Sequence, residues 1–264
     1  MKIVFWSPTP FSGRKSSNLL LMAFQAVAEE GGEQFVIHAD EGGSGPEHFL
    51  LSGRYRIRMM EQREFGVELL DKTLHCERFD KELAVNASYT FAGGKMHILP
   101  AGSSFFYQER EEKAAQAVAG IIKRAAECFQ NVWVEAPAGK SVLAEELCRT
   151  ADLVVVNLAQ SPSEAAKIVQ IPVYEKEFFL IGAHEKRCTY TRHNMTLLYP
   201  RLYGKCAAIP YQVRYLAACC AGEAEQFWER ESHSGETDVL YPFFKEVKKA
   251  YLGLKRCQEE GDVL

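Results

Sequence analysis

The sequence predicts an α/β protein built on a mostly parallel sheet of seven or eight strands, with helices on both faces. Short apolar runs that suit buried strands alternate with longer segments of helical periodicity along nearly all of the 264 residues. The clearest strand is the β-branched run Leu153-Val154-Val155-Val156, which leads into Asn157. Because parallel strands need crossover connections, this alternation favours a layered α/β sheet. No linker or repeat interrupts it, so we expect a single domain over residues 1–264.

Composition limits the possible functions. The hydrophobic fraction of 47% and the charged fraction of 25% are typical of soluble globular proteins. A formal net charge of -4 argues against general coating of nucleic acid and against nucleic acid as a partner, although it leaves room for a local basic face. No apolar run reaches the ~20 residues that cross a bilayer, and the N-terminus leads directly into a strand, which predicts no signal peptide. The eight cysteines are scattered without a C-x-x-C pair, so we expect reduced, mostly buried thiols and a cytoplasmic protein.

The first strand and the turn after it organise the chain. Lys2 to Trp6 form an apolar run, a polar loop follows, and a helix then continues to Glu30 and stops at two glycines. Lys15 and Ser16 lie at the start of this helix, where unpaired N–H groups and the helix dipole favour anions. An ammonium for phosphate oxygens and a hydroxyl for Mg²⁺ are what a phosphate-binding loop requires.

This loop departs from the pattern G-x-x-x-x-G-K-[ST]. Thr9 and Arg14 stand where the pattern has glycine. Glycine allows the backbone to approach phosphate closely, often at a φ angle that other residues avoid. Arg14 either pairs with phosphate or fills the pocket, and the alternative for the whole segment is an ordinary basic helix start.

Carboxylates follow two further predicted strands. Asp40 follows the strand at 34–39, and Glu135 follows the strand at 131–134. Ligands of parallel sheets sit at the carboxyl ends of the strands, so we expect both carboxylates near Lys15. Glu135 could hold Mg²⁺ through water or activate water. The alternatives are a turn or cap role for Asp40 and a loop-anchoring role for Glu135.

The remaining elements follow from periodicity and caps. Ser161, Pro162 and Glu164 predict a helix start with a capping box. Arg54, Arg56 and Arg58 alternate with Tyr55 and Ile57. A solvated face is the simplest interpretation, and contact with phosphate or nucleic acid is the alternative. The other predicted strands lie at 96–100, 178–182 and 207–210. The other predicted helices lie at 61–74, 108–129, 142–149, 191–203 (interrupted near Pro200), 213–221 and 223–231.

Several segments recur in the order and spacing of a known family. They are 10–17 (PFSGRKSS), 36–40 (VIHAD), 97–102 (HILPAG), 132–139 (VWVEAPAG), 151–156 (ADLVVV), 161–163 (SPS) and 209–211 (IPY) with the alanines and glycine of 217–222. Together they resemble the ParA/MinD group of P-loop ATPases over roughly residues 1–235. The resemblance implies a P-loop NTPase-like fold with ATP and Mg²⁺ as cofactors.

The resemblance also implies roles for individual residues. Lys15 would take phosphate oxygens and, with Asp40 facing the attacking water, would form the catalytic pair. Ser16 would help to hold Mg²⁺, with Glu135 as the carboxylate behind it. The other nucleotide contacts implied are Gly13, Arg14, Ser17, Pro210 and Tyr211, the last two beside the base.

Departures from the family pattern predict weak ATP hydrolysis or none. Pro10 stands where the family has a lysine that reaches the partner's nucleotide, and His38 and Glu135 replace aspartates. Since phosphoryl transfer depends on charge stabilisation, losing several such groups lowers the rate strongly. The loop therefore resembles a degenerate Walker A motif.

Within the group, the opening Trp6-Ser7-Pro8 and the IPY segment most resemble TadZ-type proteins of Tad/Flp pilus assembly. This implies a localisation or scaffold factor, a homodimer, and a protein partner in a pilus or secretion machinery. Two alternatives are an active ATPase for DNA or plasmid partition or cell-division positioning, and a nucleotide-independent protein-interaction module.

The last predicted helix, at 239–258, is amphipathic and basic. Its apolar positions include Leu240, Phe244 and Leu254, and lysines occupy the other face. Such a helix can lie on an anionic membrane, which would make the protein peripheral to the inner face of the membrane. The simpler alternative is a helix docked on the sheet with its charges in water.

Overall fold

The computed structural model describes residues 1–10, 12–40, 45–51, 65–74, 79–101, 111–233 and 235–259. These residues form an eight-stranded sheet in the order β3-β4-β2-β5-β1-β6-β7-β8. The prediction of a mostly parallel sheet with helices is confirmed. The strands are β1 Lys2–Trp6, β2 Gln34–His38, β3 Tyr89–Phe91, β4 Met96–Leu99, β5 Asn131–Glu135, β6 Leu153–Ala159, β7 Glu177–His184 and β8 Cys206–Pro210.

The central strand β1 is parallel to β5 on one side and to β6 on the other. Ile3, Val4 and Phe5 are buried because helices cover both faces of the sheet. The register places Glu135 beside Phe5 and also beside His38 of β2. The carboxyl ends of β1, β2 and β5 therefore meet at one edge of the sheet.

The strand β3 was not predicted, and it is the antiparallel one. It pairs with β4, with Tyr89 opposite Ile98 and Phe91 opposite Met96. A strand of three residues is too short to show a period, so the sequence pattern does not distinguish it from a loop.

The helices lie in two layers. One layer holds α1 Lys15–Glu30, α8 Val213–Ala221, α9 Ala224–Glu231 and α10 Tyr241–Glu259, which pack with one core cluster. The other holds α2 Val67–Leu74, α3 Lys81–Asn86, α4 Glu111–Cys128, α5 Val142–Thr150, α6 Pro162–Lys167 and α7 Arg192–Leu198, with the second cluster. Short 3₁₀ turns occupy Pro46–Phe49, Ala92–Gly94 and Pro200–Leu202.

Most predicted helices lie within a few residues of their observed bounds, and α3 was not predicted. Some predictions fall outside the described residues: the arginines at 54, 56 and 58, the starts of the helices predicted from 61 and 108, Gly102 and Cys76.

The seven described cysteines form no disulfide with one another, but the expectation of mostly buried thiols is wrong, since Cys188 and Cys220 are exposed and only Cys148 and Cys219 are buried.

The helix α10 docks on the domain. Phe243, Val247 and Leu254 are buried in the core cluster that contains α1, and α10 contacts β8 and α1. The Tyr251 hydroxyl donates to the Glu30 carboxylate of α1. The apolar face is therefore covered by protein, as the docked alternative expects. Among the described segments, none forms a helix long and apolar enough to span a membrane.

Candidate functional site

The loop between β1 and α1 has two consecutive residues in the left-handed region. Gly13 has φ 68° and Arg14 has φ 57°. Arg14 precedes the first residue of α1, and its side chain makes no capping hydrogen bond. The position that the phosphate-loop pattern assigns to glycine thus keeps a glycine-like backbone although it carries arginine.

Neighbouring strands press closely on this loop. A Cβ added at Gly13 would lie 2.8 Å from backbone atoms of Asn157 and Leu158, and one at Gly182 of β7 would lie 2.0 Å from the Gly13 carbonyl oxygen. The Asn18 amide donates to that carbonyl oxygen at 2.8 Å and to Asn157 Oδ1 at 3.0 Å. Glycine at 13 and 182 is needed for this contact, which fixes the loop against β6 and β7.

Lys15 lies at the centre of the strand ends. Its side chain is 8% exposed, and its Nζ lies 2.9 Å from Asp40 Oδ2 and 3.6 Å from Glu135 Oε1. The ammonium also donates to the Ala136 carbonyl oxygen. The structure therefore brings together Lys15 and both carboxylates that the sequence singled out.

Ser16 and Glu135 provide oxygen ligands of the kind that Mg²⁺ prefers. The Ser16 hydroxyl donates to Glu135 Oε1 at 2.5 Å. Glu135 is 2% exposed, and its Oε2 is buried without a hydrogen-bond partner in the described structure. No cluster of three or more His, Cys, Asp or Glu side chains suitable for a metal occurs in the described part of the chain. The pair fits Mg²⁺ only where phosphate and water supply the other ligands.

His38 forms a buried ion pair with Glu47 from the 3₁₀ turn after β2. Its Nδ1 lies 2.9 Å from Glu47 Oε1, and both side chains are at most 9% exposed. Burial opposes the charged imidazolium, but the carboxylates of Glu47, Glu135 and Asp40 outweigh it and raise the pKa of His38 to about 9. The pair holds the segment 45–51 against the end of β2.

Glu164 is a site residue that sequence reasoning missed. The predicted capping box is half formed: the Ser161 hydroxyl accepts from the Glu164 N–H at 3.3 Å. The Glu164 carboxylate binds the loop instead, accepting from Thr9 Oγ1 at 2.5 Å and from Ser12 Oγ at 2.7 Å. Lys167 reaches the same carboxylate at 3.0 Å. Burial opposes ionisation, but these three donors lower the pKa of Glu164. No local pattern in the sequence marks a contact between residues 155 positions apart.

A cavity of about 870 Å³ opens beside these groups. Its volume lies within the range of small-molecule sites. Lys15, Ser16, Asp40 and Glu135 are in its lining. The lining also contains Pro210, Tyr211, Gln212, Tyr215, Leu216, Cys219 and Cys220, together with Phe49.

Three further predicted residues lie around the cavity. Arg14 lines it and is exposed, and its guanidinium makes no hydrogen bond or ion pair with a described residue. Ser17 also lines it; its hydroxyl donates to the Arg14 carbonyl oxygen at 3.0 Å, and its own carbonyl oxygen accepts from the Tyr215 hydroxyl at 2.9 Å. Gly13 is not in the lining and acts through the backbone contacts above. A lining that combines charged groups with apolar and aromatic side chains suits a ligand with an anionic part and a flat ring.

Comparison with known proteins gives no match to a family model or to a curated sequence. Solved structures do match. A ParA family ATPase from Chlorobium tepidum has a TM-score of 0.71 and 13% identity, with 95% of this chain and 97% of that chain covered. The MinC:MinD cell division complex of Aquifex aeolicus gives 0.65 and 15%, covering 97% and 96%. MinD of Pyrococcus horikoshii complexed with Mg-ADP gives 0.61 and 13%, covering 100% and 97%. At these identities the likeness establishes the fold, which is that of the ParA and MinD ATPases.

Proposed function

We propose that this chain is a ParA/MinD-type domain that binds ATP and Mg²⁺ and serves as a localisation or scaffold factor with weak ATP hydrolysis or none. The observation that carries the proposal is the cluster of Lys15, Ser16, Asp40 and Glu135 in the lining of the cavity. A helix N-terminus, a lysine and a hydroxyl at one point suit the phosphates of a nucleotide.

Different residues around the cavity would contact different parts of the bound nucleotide. Lys15 would exchange its carboxylate partners for phosphate oxygens, and Arg14 is placed to add a second cation. Ser16 and Glu135 would hold Mg²⁺, which neutralises phosphate charge when it is bound. Ser17, which lines the cavity, would contribute backbone to the phosphates, and Gly13 would hold the loop in place through its contacts with β6 and β7. Tyr211 and Pro210 would lie beside the base.

One feature of the site supports weak hydrolysis. His38 replaces an aspartate of the family pattern and is paired with Glu47. This replacement agrees with the loop departures at Thr9, Pro10 and Arg14.

The localisation role rests on the fold and on the resemblance to TadZ-type proteins. We place the chain in a pilus-assembly or secretion machinery, where it would act as a homodimer that recruits a protein partner. A solved structure with this fold is the MinC:MinD complex, in which the second component is another protein. A peripheral membrane location through α10 would require that helix to leave its docking site.

Two alternatives make different predictions. An active ATPase for partition or division positioning predicts Mg²⁺-dependent turnover that Lys15→Ala abolishes. A nucleotide-independent interaction module predicts no nucleotide binding and partner binding that Lys15→Ala leaves intact. The cavity beside Lys15 favours a nucleotide-binding protein over the second alternative.

Calorimetric titration with ATP–Mg²⁺ and ADP–Mg²⁺ tests the proposal. We expect saturable binding to the wild type, loss of binding in Lys15→Ala, and in Ser16→Ala a loss of the enhancement that Mg²⁺ gives. Lys123→Ala, an exposed lysine on α4, is the matched control and should bind as the wild type does. Circular dichroism establishes that each variant is folded.

A turnover assay on the same samples separates the candidates. Binding with slow or undetectable phosphate release supports the proposal. Fast Mg²⁺-dependent release that is lost in Lys15→Ala would favour the active ATPase. No binding at millimolar nucleotide by the folded wild type would reject the nucleotide site and favour the interaction module.

A further inference from the structure

Two residues of α6 bind the loop between β1 and α1. Glu164 is 5% exposed, and each of its carboxylate oxygens accepts from a loop hydroxyl: Oε1 from Thr9 at 2.5 Å and Oε2 from Ser12 at 2.7 Å. Lys167 donates to Glu164 Oε1 at 3.0 Å and also to the Thr9 hydroxyl. Burial opposes the charged form of Glu164, but these three donors lower the pKa of its carboxyl group. The contacts are therefore hydrogen bonds to a charged group, which are stronger than those between neutral groups.

Ser7, the residue after β1, holds the backbone of Thr9. Its buried hydroxyl donates to the Thr9 carbonyl oxygen at 2.7 Å and accepts from the Thr9 N–H at 3.4 Å. The Ser7 carbonyl oxygen in turn accepts from the N–H of Gly139 at 2.8 Å. Thr9 is thus fixed through both its backbone and its side chain.

Thr9 stands where the phosphate-loop pattern has its first glycine. Glycine would be needed there if the backbone were left-handed. Among the described residues other than glycine, a positive φ angle occurs at Arg14, Ala92 and Ala183 and not at Thr9. The backbone at position 9 therefore accepts a residue with a Cβ, and the hydroxyl that glycine lacks is the group that binds α6.

We propose that Glu164 and Lys167 are positioning residues for nucleotide phosphates, because they hold the loop in place through the hydroxyls of Thr9 and Ser12. We name these four residues the α6 anchor. Thr9 and Ser12 line the cavity, whereas Glu164 and Lys167 do not, so the α6 residues act through the loop and not on the ligand. A loop that is already held in one conformation loses less entropy on binding. The inference rests on the proposed nucleotide binding.

The α6 anchor reverses the expectation for position 9. From the phosphate-loop pattern alone, Thr9→Gly should restore nucleotide binding, because it supplies the missing glycine. With the anchor, the same change removes a hydroxyl that holds the loop, so it should weaken binding.

Hydrogen exchange of the nucleotide-free protein, measured by mass spectrometry, tests the anchor itself. In Glu164→Gln and Thr9→Val we expect residues 7–17 to exchange about tenfold faster, as for the loss of one hydrogen bond to a charged group. Thr9→Ser keeps the hydroxyl and should restore the wild-type rate. The control Glu146→Gln makes the same change on α5, where Glu146 pairs with Arg149 at the spacing that separates Glu164 from Lys167, and should leave the loop unchanged.

Calorimetric titration with ATP–Mg²⁺ tests the consequence for the ligand. The dissociation constant should rise about tenfold in Glu164→Gln, Thr9→Val and Thr9→Gly, which again corresponds to one such hydrogen bond. Thr9→Ser and Glu146→Gln should stay within twofold of the wild type. A general loss of stability would instead lower the melting temperature and accelerate exchange in every peptide.

Either of two results would overturn the inference. Unchanged exchange of residues 7–17 in both Glu164→Gln and Thr9→Val would show that these contacts do not hold the loop. ATP binding by Thr9→Gly as tight as that of the wild type, or tighter, would show that the hydroxyl does not position the loop for phosphate. A wild type that binds no nucleotide would reject the proposed function and the role toward phosphate with it. The exchange measurement would still decide whether α6 holds the loop, so the two failures can be distinguished.

Discussion

Arg14 has the backbone of a left-handed residue, φ 57° and ψ 39°, directly before the first residue of α1. A side chain with a Cβ in this region costs about 1 kcal/mol relative to glycine. The chain keeps arginine there, and the side chain lines the cavity. Under the proposed nucleotide binding, a cation beside the phosphates would be a reason to retain a residue that the local backbone disfavours.

Replacing Arg14 separates the cost of its left-handed backbone from the effect of its guanidinium on nucleotide binding. We expect Arg14→Gly to raise the free energy of unfolding by about 1 kcal/mol, because it removes the left-handed strain. Arg14→Ala keeps the strain but lacks the guanidinium, so it should not gain this stability. Urea unfolding of both variants measures the difference, and equal stabilities would contradict the strain argument. Both variants should bind ATP more weakly than the wild type if the guanidinium contacts phosphate.

Residue-level predictions from the sequence succeeded where the signal was local. Lys15 and Ser16 come after a strand and open a helix, so their position could be predicted directly. Asp40 comes after β2 and Glu135 is the last residue of β5, and these two strands are parallel neighbours. The role of Glu164 could not be predicted in this way. Its carboxylate accepts hydrogen bonds from Thr9 and Ser12, which are distant in sequence. Because Glu164 also matches a capping box, its carboxylate was assigned to the helix start and not to the loop.

The ion pair of His38 and Glu47 belongs to the element scale, because it joins the end of β2 to the 3₁₀ turn Pro46–Phe49. Gly45 packs on the His38 ring so closely that a Cβ there would lie 2.1 Å from His38 Nδ1. Phe49 of the same turn lines the cavity. The pair therefore helps to place one wall of the site.

This pair predicts a pH dependence of stability. The pKa of His38 is raised from 6.5 to about 9, so its charged form stabilises the fold fully below pH 6.5, and this contribution is lost as the pH rises through about 9. Burial opposes the charged form of Glu47, but His38 lowers its pKa below 4.5, so its contribution is present above that value. We expect the free energy of unfolding to fall between pH 6.5 and pH 9.

Urea unfolding across that range measures the effect. In His38→Asn/Glu47→Gln, which removes both charges together, the decline should be smaller than in the wild type. His233→Asn changes an exposed histidine and should leave the wild-type profile unaltered. A double variant that declines as steeply as the wild type would show that other groups cause the pH dependence.

Elements were predictable in proportion to their length and regularity. The long helix α4 has a clear period, α1 is bounded by a polar loop and two glycines, and β5 and β6 are continuous apolar runs. All four lie close to their predicted positions. The three-residue strand β3 and the six-residue helix α3 are too short for a period to be resolved. Their conformation depends on packing against β4 and α4, which the sequence does not encode locally.

At the scale of the whole molecule, the question is whether α10 stays docked on the domain or leaves it to bind a membrane. The outward face of α10 carries Lys245, Lys248, Lys249 and Arg256, and Lys248 pairs with Glu29 of α1 at 2.7 Å. Periodicity predicted an apolar stripe on this helix but could not tell what covers it. The contacts with β8 and α1 supply that answer.

A matched pair of leucines on α10 tests whether this docking contributes to stability. Leu254 is fully buried in the core cluster, whereas Leu252 on the same helix is 44% exposed. If α10 is a permanent part of the domain, Leu254→Ala should lower the free energy of unfolding by about 2–5 kcal/mol, through lost burial and a cavity. Leu252→Ala should change it by less than about 0.5 kcal/mol. Both values come from urea unfolding monitored by tryptophan fluorescence.

Sedimentation with vesicles of anionic phospholipid completes this test. A docked helix leaves no apolar face for the bilayer, so we expect the wild type to remain in the supernatant at physiological salt. A helix that exchanges between protein and membrane would give the opposite pattern. Leu254→Ala would then change stability little and would reduce the fraction bound to vesicles, because the same side chain would insert into lipid. Since the two outcomes differ in both measurements, a single set of variants decides whether α10 holds the domain together or anchors it.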